Sequence, residues 1–92
     1  MDERMQHTVM NVDGNALAGP LSDVFAVDVT TVVATCRECG LAAPLAEADV
    51  ELDSACAIVR CRGCTRTLFT ALRTEQGDLR IVLASMAELR IA

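Results

Sequence analysis

The sequence is poor in large aromatic side chains: of its 92 residues none is Trp or Tyr, and the two Phe are Phe25 and Phe69. A buried ring contributes about 150–250 Å² of contact, so this core has to be built from smaller aliphatic side chains. In chains of this length a single core supplies only a few kcal/mol of net stability. The composition therefore predicts one small domain with a further source of stability, such as a bound metal ion.

The sequence also lacks Lys: its eight bases are all Arg and are outnumbered by thirteen acids, for a net charge of −5. Nucleic acids and anionic membranes attract proteins with an excess of bases, so neither is an expected partner. No apolar run reaches the roughly 18 residues of a membrane-spanning helix. The first four residues do not begin a signal peptide, which starts with a basic region followed by an apolar stretch. We expect a cytoplasmic protein.

Residues that could form a reaction centre are scarce as well. The one His is His7, near the start of the chain, and no glycine-rich phosphate loop is present. Four acids alternate with apolar residues and would share one face of a strand; this acidic stripe comprises Glu47, Asp49, Glu51 and Asp53. Without a histidine base or an activated nucleophile nearby, we interpret the stripe as a solvated face that resists edge aggregation. We expect no enzymatic activity.

Cysteine, in contrast, occurs in two C-x2-C pairs, Cys36-Arg37-Glu38-Cys39 and Cys61-Arg62-Gly63-Cys64. Each pair can direct two sulfurs at one ion from a single tight loop. The 21 residues between the pairs slightly exceed the roughly 15–20 of the usual zinc ribbon, which predicts a long hairpin. In a reducing compartment such pairs are more often metal ligands than disulfides. We therefore predict one four-thiolate site, formed by Cys36, Cys39, Cys61 and Cys64.

The favoured metal is a single structural Zn²⁺, because four protein ligands leave no position for substrate or water. The alternative is iron: two C-x2-C loops also hold the single iron of rubredoxin, an electron carrier. The first loop, with Gly40 after Cys39, is similar to a rubredoxin loop, whereas the second lacks the proline and trailing glycine of that family, and the aromatic core is missing. The fifth cysteine, Cys56, is interpreted as a small packing residue.

Four arginines lie within a few residues of the ligands: Arg37, Arg60, Arg62 and Arg66. Zn²⁺ with four thiolates carries a formal charge of −2, and we expect these bases to offset it and to pair with nearby acids. The alternative is a basic patch for a phosphate, a nucleic acid or an acidic partner. No aromatic residue stands close enough in sequence to stack on a base.

The N-terminal part of the chain predicts a tail followed by a helix. Residues 1–12 are polar and without periodicity, as in a flexible tail. Asp13 is a good N-cap, and apolar residues then recur at helical spacing, which predicts a helix over 14–27 that Gly19-Pro20 kinks or divides; these residues are Leu17, Leu21, Val24 and Phe25.

The remainder predicts antiparallel strands. Residues 28–66 form the ribbon, in which 45–53 alternates with period two and 55–60 returns, placing Glu47 opposite Arg60 across an Asp53-Ser54 turn. Residues 67–92 form a C-terminal hairpin with its turn near Gly77, followed from Ser85 by a short helix or a last strand. Its inner face is expected to be filled by Leu68, Leu72, Leu79, Ile81 and Leu83. The fold class is small α+β: zinc-ribbon-like antiparallel hairpins with an N-terminal helix, residues 13–92 forming one domain.

The element Asp13-Gly14-Asn15-Ala16-Leu17-Ala18-Gly19, together with the two cysteine pairs, resembles a family of short actinobacterial proteins known as a domain of unknown function. The resemblance covers about residues 12–84. It implies a zinc-ribbon-like protein and brings no established activity. We therefore expect a non-enzymatic structural-zinc protein that serves as a protein-binding or adaptor module; a rubredoxin-like electron carrier and a nucleic-acid-binding ribbon are the alternatives.

Overall fold

The computed structural model describes residues 10–19 and 28–91, which form two antiparallel sheets. The larger sheet has the strand order β1-β4-β5-β6-β7, and the smaller has the order β3-β2-β8. The strands are β1 (Met10–Asp13), β2 (Val33–Cys36), β3 (Ala42–Pro44), β4 (Asp49–Leu52), β5 (Cys56–Arg60), β6 (Thr67–Arg73), β7 (Leu79–Leu83) and β8 (Met86–Arg90). Short 3₁₀ helices cover Gly14–Ala18, Val29–Thr31 and Leu45–Glu47.

The predicted antiparallel hairpins are thus confirmed, but the predicted N-terminal helix over 14–27 is wrong where it can be compared. Gly14–Ala18 is a 3₁₀ helix, and the part of the chain that the structure describes contains no α-helix. The Asp13 carboxylate caps this turn by accepting from the Asn15 N–H at 3.0 Å, and Gly19 precedes a proline, which disfavours helix continuation. Residues 20–27 lie outside the described residues. No described helix is long and apolar enough to cross a membrane.

The first strand of the larger sheet, β1, lies in a segment for which the sequence predicted no strand. Met10–Asp13 pairs antiparallel with β4, Val12 lying opposite Val50. The expected flexible tail over residues 1–12 is therefore wrong for its last three residues; the first nine lie outside the described residues. No apolar pattern indicated this strand, because among its four side chains Val12 alone packs against the core.

The β4–β5 hairpin has the predicted faces in a different register. Asp49, not Glu47, lies opposite Arg60, because Leu45–Glu47 turns as a 3₁₀ helix before the strand starts. The pairing is displaced by two residues, a shift that preserves which side chains face the core. Asp53 stabilises the connecting turn, since its carboxylate accepts from the backbone N–H groups of Ala55 and Cys56 at 2.9 and 2.8 Å.

The C-terminal segment divides between the two sheets. β6 and β7 form the predicted hairpin, with Gly77 at φ 92° in its turn. The segment after Ser85 is a strand, β8, which pairs with β2 in the smaller sheet. Leu68 is buried as expected, but Ile81 and Leu83 are 37% and 63% exposed, so their placement in the core was wrong.

One hydrophobic cluster joins the sheets. Its side chains are aliphatic except for Phe69, which is 3% exposed, and two cysteines. Leu17 and Val59 are fully buried, and two of the four paired cysteines, Cys36 and Cys61, belong to the same cluster. The sulfur-bearing turns are therefore continuous with the core.

Gly14 explains why the N-terminal turn packs so closely. A β-carbon at this position would lie 1.5 Å from the Leu45 carbonyl oxygen, a backbone atom that cannot move aside. The Gly14–Ala18 turn therefore rests directly on the Leu45–Glu47 turn, and this contact positions Leu17 in the core. No residue other than glycine fits here without separating the two turns.

We predict that Gly14→Ala destabilises the protein by at least about 3 kcal/mol, because the added methyl group forces backbone apart. Asn15→Ala is the matched control. Asn15 is exposed in the same turn and the change adds no atoms, so it should cost about 0.5 kcal/mol or less. Denaturant unfolding of both variants measures the difference. Equal losses would contradict the close packing of the two turns.

Candidate metal centre

The first cysteine pair lies at the tip of the β2–β3 hairpin in the smaller sheet. Cys36 ends β2, and Cys39 follows in the turn. The backbone closes with Gly40 N–H donating to the Cys36 carbonyl at 2.9 Å and Cys36 N–H donating to the Leu41 carbonyl at 2.9 Å. Gly40 has φ 78°, a left-handed conformation that favours glycine.

The second pair repeats this geometry at the tip of the β5–β6 hairpin in the larger sheet. Thr65 N–H donates to the Cys61 carbonyl and Cys61 N–H donates to the Arg66 carbonyl, both at 2.8 Å. Equivalent residues of the two turns therefore make the same backbone hydrogen bonds, although their strands belong to different sheets. The link after β7 supports the first turn, because Arg37 N–H donates to the Ser85 carbonyl at 2.7 Å.

The four predicted ligands converge. The sulfur atoms of Cys36, Cys39, Cys61 and Cys64 all lie within 4.8 Å of one another. Two contacts run between the turns: Cys36 Sγ lies 3.6 Å from Cys64 Sγ, and Cys39 Sγ lies 3.6 Å from Cys61 Sγ. Four sulfurs at about 2.3 Å from one ion lie about 3.8 Å apart in a tetrahedron. The observed spacing fits a tetrathiolate metal ion, and the cysteines are free of disulfides.

At one of the four cysteines, Cys36, the surrounding backbone favours the ionised thiolate. N–H groups of Cys39 and Glu38 lower the pKa of the Cys36 thiol to about 7. Another N–H, from Gly63, lies 3.3 Å from Cys61 Sγ. The pKa of Cys39 is nevertheless raised to about 11, because desolvation and the neighbouring sulfurs outweigh the N–H of Leu41. Crowded sulfurs thus keep protons until a cation neutralises them, as expected where metal binding releases protons.

The second turn has a threonine where the first has a glycine. Its left-handed residue is Thr65, at φ 67° and directly after Cys64 as Gly40 is after Cys39. Gly63 serves the contact between the turns: a β-carbon there would lie 3.1 Å from Leu41 Cδ2 and 3.5 Å from Cys39 Sγ. Aligning the two pairs on their second cysteine would have identified position 65.

The four arginines divide into two kinds. Arg60 donates to the Glu51 carboxylate at 2.7 Å, and Arg62 donates to Glu47 at 3.3 Å. Arg37 and Arg66 are exposed beside the cluster, and neither side chain pairs with a described residue. The expected pairing with acids is thus observed at two of the four positions.

The residues interpreted as unrelated to the metal stay apart from it. Cys56 is half-buried on β5, opposite Leu72, and burial, with a contribution from Asp53, raises the pKa of its thiol. Glu47 lies in a 3₁₀ helix, so the acidic stripe is interrupted there, and the Asp53 carboxylate accepts a hydrogen bond within the β4–β5 turn. His7 lies outside the described residues. Within the described ranges, the four cysteines are the one group of metal-ligating side chains that comes together.

We predict that Thr65→Gly stabilises the metal-loaded protein by about 0.5–1 kcal/mol, because glycine adopts the left-handed conformation without steric cost. The mirror substitution Gly40→Thr should destabilise it by about 1–2 kcal/mol. Denaturant unfolding of zinc-saturated protein measures both. A loss of stability in Thr65→Gly as large as that in Gly40→Thr would show that the two turns are not equivalent.

Comparison with known proteins yields one match. The model of a family described as a family of unknown function (DUF6510) matches residues 5–92. The predicted resemblance is confirmed at that level and extends over more of the chain than the motif indicated; the source of the family stays a prediction. No curated protein matches the chain, and no solved structure matches it.

Proposed function

The chain belongs to the DUF6510 family of unknown function, and we propose that it is a small non-enzymatic zinc protein that binds a protein partner. One observation carries the zinc assignment: two turns from different sheets bring four sulfurs within 4.8 Å of one another. Sulfur-only tetrahedral sites of this kind hold zinc or iron. The proposed compartment is the cytoplasm, where thiols stay reduced.

A structural role for the ion follows from its ligands. Four protein sulfurs complete a tetrahedral shell, which leaves no position for water or substrate. Cys36 and Cys61 are 1% and 3% exposed and belong to the core. An ion bound there would connect the two sheets. These features support a zinc that stabilises the fold rather than one that performs a reaction.

A protein partner is favoured over nucleic acid by charge and by the lack of stacking surfaces. The chain carries a net charge of −5, which repels phosphate backbones. Single-stranded nucleic acid also requires exposed rings, and the described aromatic residue, Phe69, is 3% exposed. The exposed Arg37 and Arg66 are the observation that favours nucleic acid as a second candidate. Their charge is offset in part by the −2 of a zinc tetrathiolate.

We predict that the native protein holds one zinc ion per chain. Cys36→Ser should weaken zinc binding at least about 100-fold, more than the loss of a supporting group outside the ligand shell, and should lower the melting temperature because metal binding and folding are coupled. Cys56→Ser is the matched control and should retain full zinc. Elemental analysis and calorimetry measure both effects. A red protein containing iron would establish the rubredoxin-like alternative.

We predict that zinc-loaded protein captures a specific protein from its source cell and binds it again in purified form, whereas Cys36→Ser does not. Nucleic acid is tested by gel shift at several salt concentrations. A salt-sensitive shift that disappears in Arg37→Glu/Arg66→Glu but persists in Arg90→Glu, at the distant end of β8 from the cluster, would overturn the preference for protein.

A further inference from the structure

Among the described residues, four strands form the edges of the two sheets, and three of them carry features that disfavour pairing with another chain. β1 contains Asn11 and Asp13, β3 has three residues and ends at Pro44, and β8 contains Glu88 and Arg90. Short length, charge and proline are the usual protection of an exposed edge. The fourth edge, β7, is five residues long and has one charged side chain.

The apolar side chains of β7 extend the core face of the sheet but are not covered. Cross-strand partners share a face, and Ile81 and Leu83 lie opposite Ala71 and Phe69, which are both buried. Ile81 and Leu83 are nevertheless 37% and 63% exposed, and Val82, on the other face, is 51% exposed. The core face is therefore incomplete at this edge.

The backbone of β7 is open on the same side. Ala84 N–H donates to the Leu68 carbonyl at 3.0 Å, so in this antiparallel ladder the even-numbered residues of β7 bond to β6. The N–H and C=O groups of Leu79, Ile81 and Leu83 consequently point away from the sheet. Within residues 10–19 and 28–91, backbone groups without a partner and uncovered apolar side chains thus coincide on one strand.

We propose that β7 pairs antiparallel with β7 of a second copy of this chain, which joins the two larger sheets into one of ten strands. The strand is self-complementary: centring the pairing on Ile81 places Leu79 opposite Leu83 of the second copy and Ile81 opposite Ile81. The same register places Arg80 opposite Val82, so the two Arg80 side chains do not meet. Every outward backbone group of the strand gains a partner.

The charge distribution permits this dimer although each chain carries −5. Asp13 and Asp49 lie together at the other end of the larger sheet. At about 4.8 Å per strand, β1 is about 19 Å from β7, and the acidic edges of the two copies lie about 43 Å apart. Both distances exceed the screening length of about 8 Å at physiological salt. Nearer the seam, Asp78 is accompanied by Arg80, and the register places the two Asp78 residues about 20 Å apart at opposite ends, so repulsion at the seam is small.

A seam of five residues is at the small end of protein interfaces, so the dimer is expected to depend on concentration.

The test is sedimentation velocity of the zinc-loaded protein from about 10 µM to about 1 mM, the range in which small interfaces associate. We expect a monomer–dimer equilibrium whose dissociation constant rises at least about tenfold in Leu83→Lys. Met10→Lys, at the opposite edge of the same sheet and 51% exposed, is the matched control and should dimerise as the parent does. Both variants leave the buried core unchanged.

Hydrogen exchange identifies the strand independently of the variants. The amides of Ile81 and Leu83 should become protected as the protein concentration rises, while Val82 is protected throughout by β6. A monomer over the whole range would overturn the proposal, as would a dimer that Leu83→Lys does not weaken. Protection of Ile81 that does not change with concentration would show that the chain covers its own edge, which also contradicts it.

Discussion

The convergence of four sulfurs from two hairpins is the constraint on which the rest of the structure depends. The hairpins belong to different sheets, and Cys36 and Cys61 are part of the single hydrophobic cluster between those sheets. Four mutually close sulfurs are unfavourable as ionised groups, and a cation removes that repulsion. The core is almost entirely aliphatic, so the free energy that a bound metal ion would add at this junction is large relative to the few kcal/mol that such a small core supplies.

The two turns achieve this convergence by the same backbone hydrogen bonds with different residues. Gly40 adopts the left-handed conformation after the first pair, whereas Thr65 does so after the second. A β-branched residue is unfavourable there, and strain of this kind persists where the surroundings determine the conformation. Closeness of the turns also depends on Gly63, which lies between Leu41 and two of the sulfurs. The metal centre and the packing around it are thus one structural unit.

Sequence patterns predicted the features that depend on neighbours along the chain. The C-x2-C spacing identified all four clustered sulfurs, and period-two alternation identified which residues of β4 and β5 face the core. The patterns failed where distant contacts decide. The turn at Gly14–Ala18 is determined by the Leu45 carbonyl, the register of Arg60 by the 3₁₀ turn before β4, and the pairing of β8 with β2 by the second sheet. None of these contacts leaves a local periodicity.

X-ray absorption at the zinc edge of the protein as isolated measures the atoms around the metal directly. We expect a single shell of four sulfurs at about 2.3 Å with no nitrogen or oxygen neighbour. A shell with nitrogen or oxygen ligands, or fewer than four sulfurs, would contradict this expectation, because the two hairpins would then not share one ion.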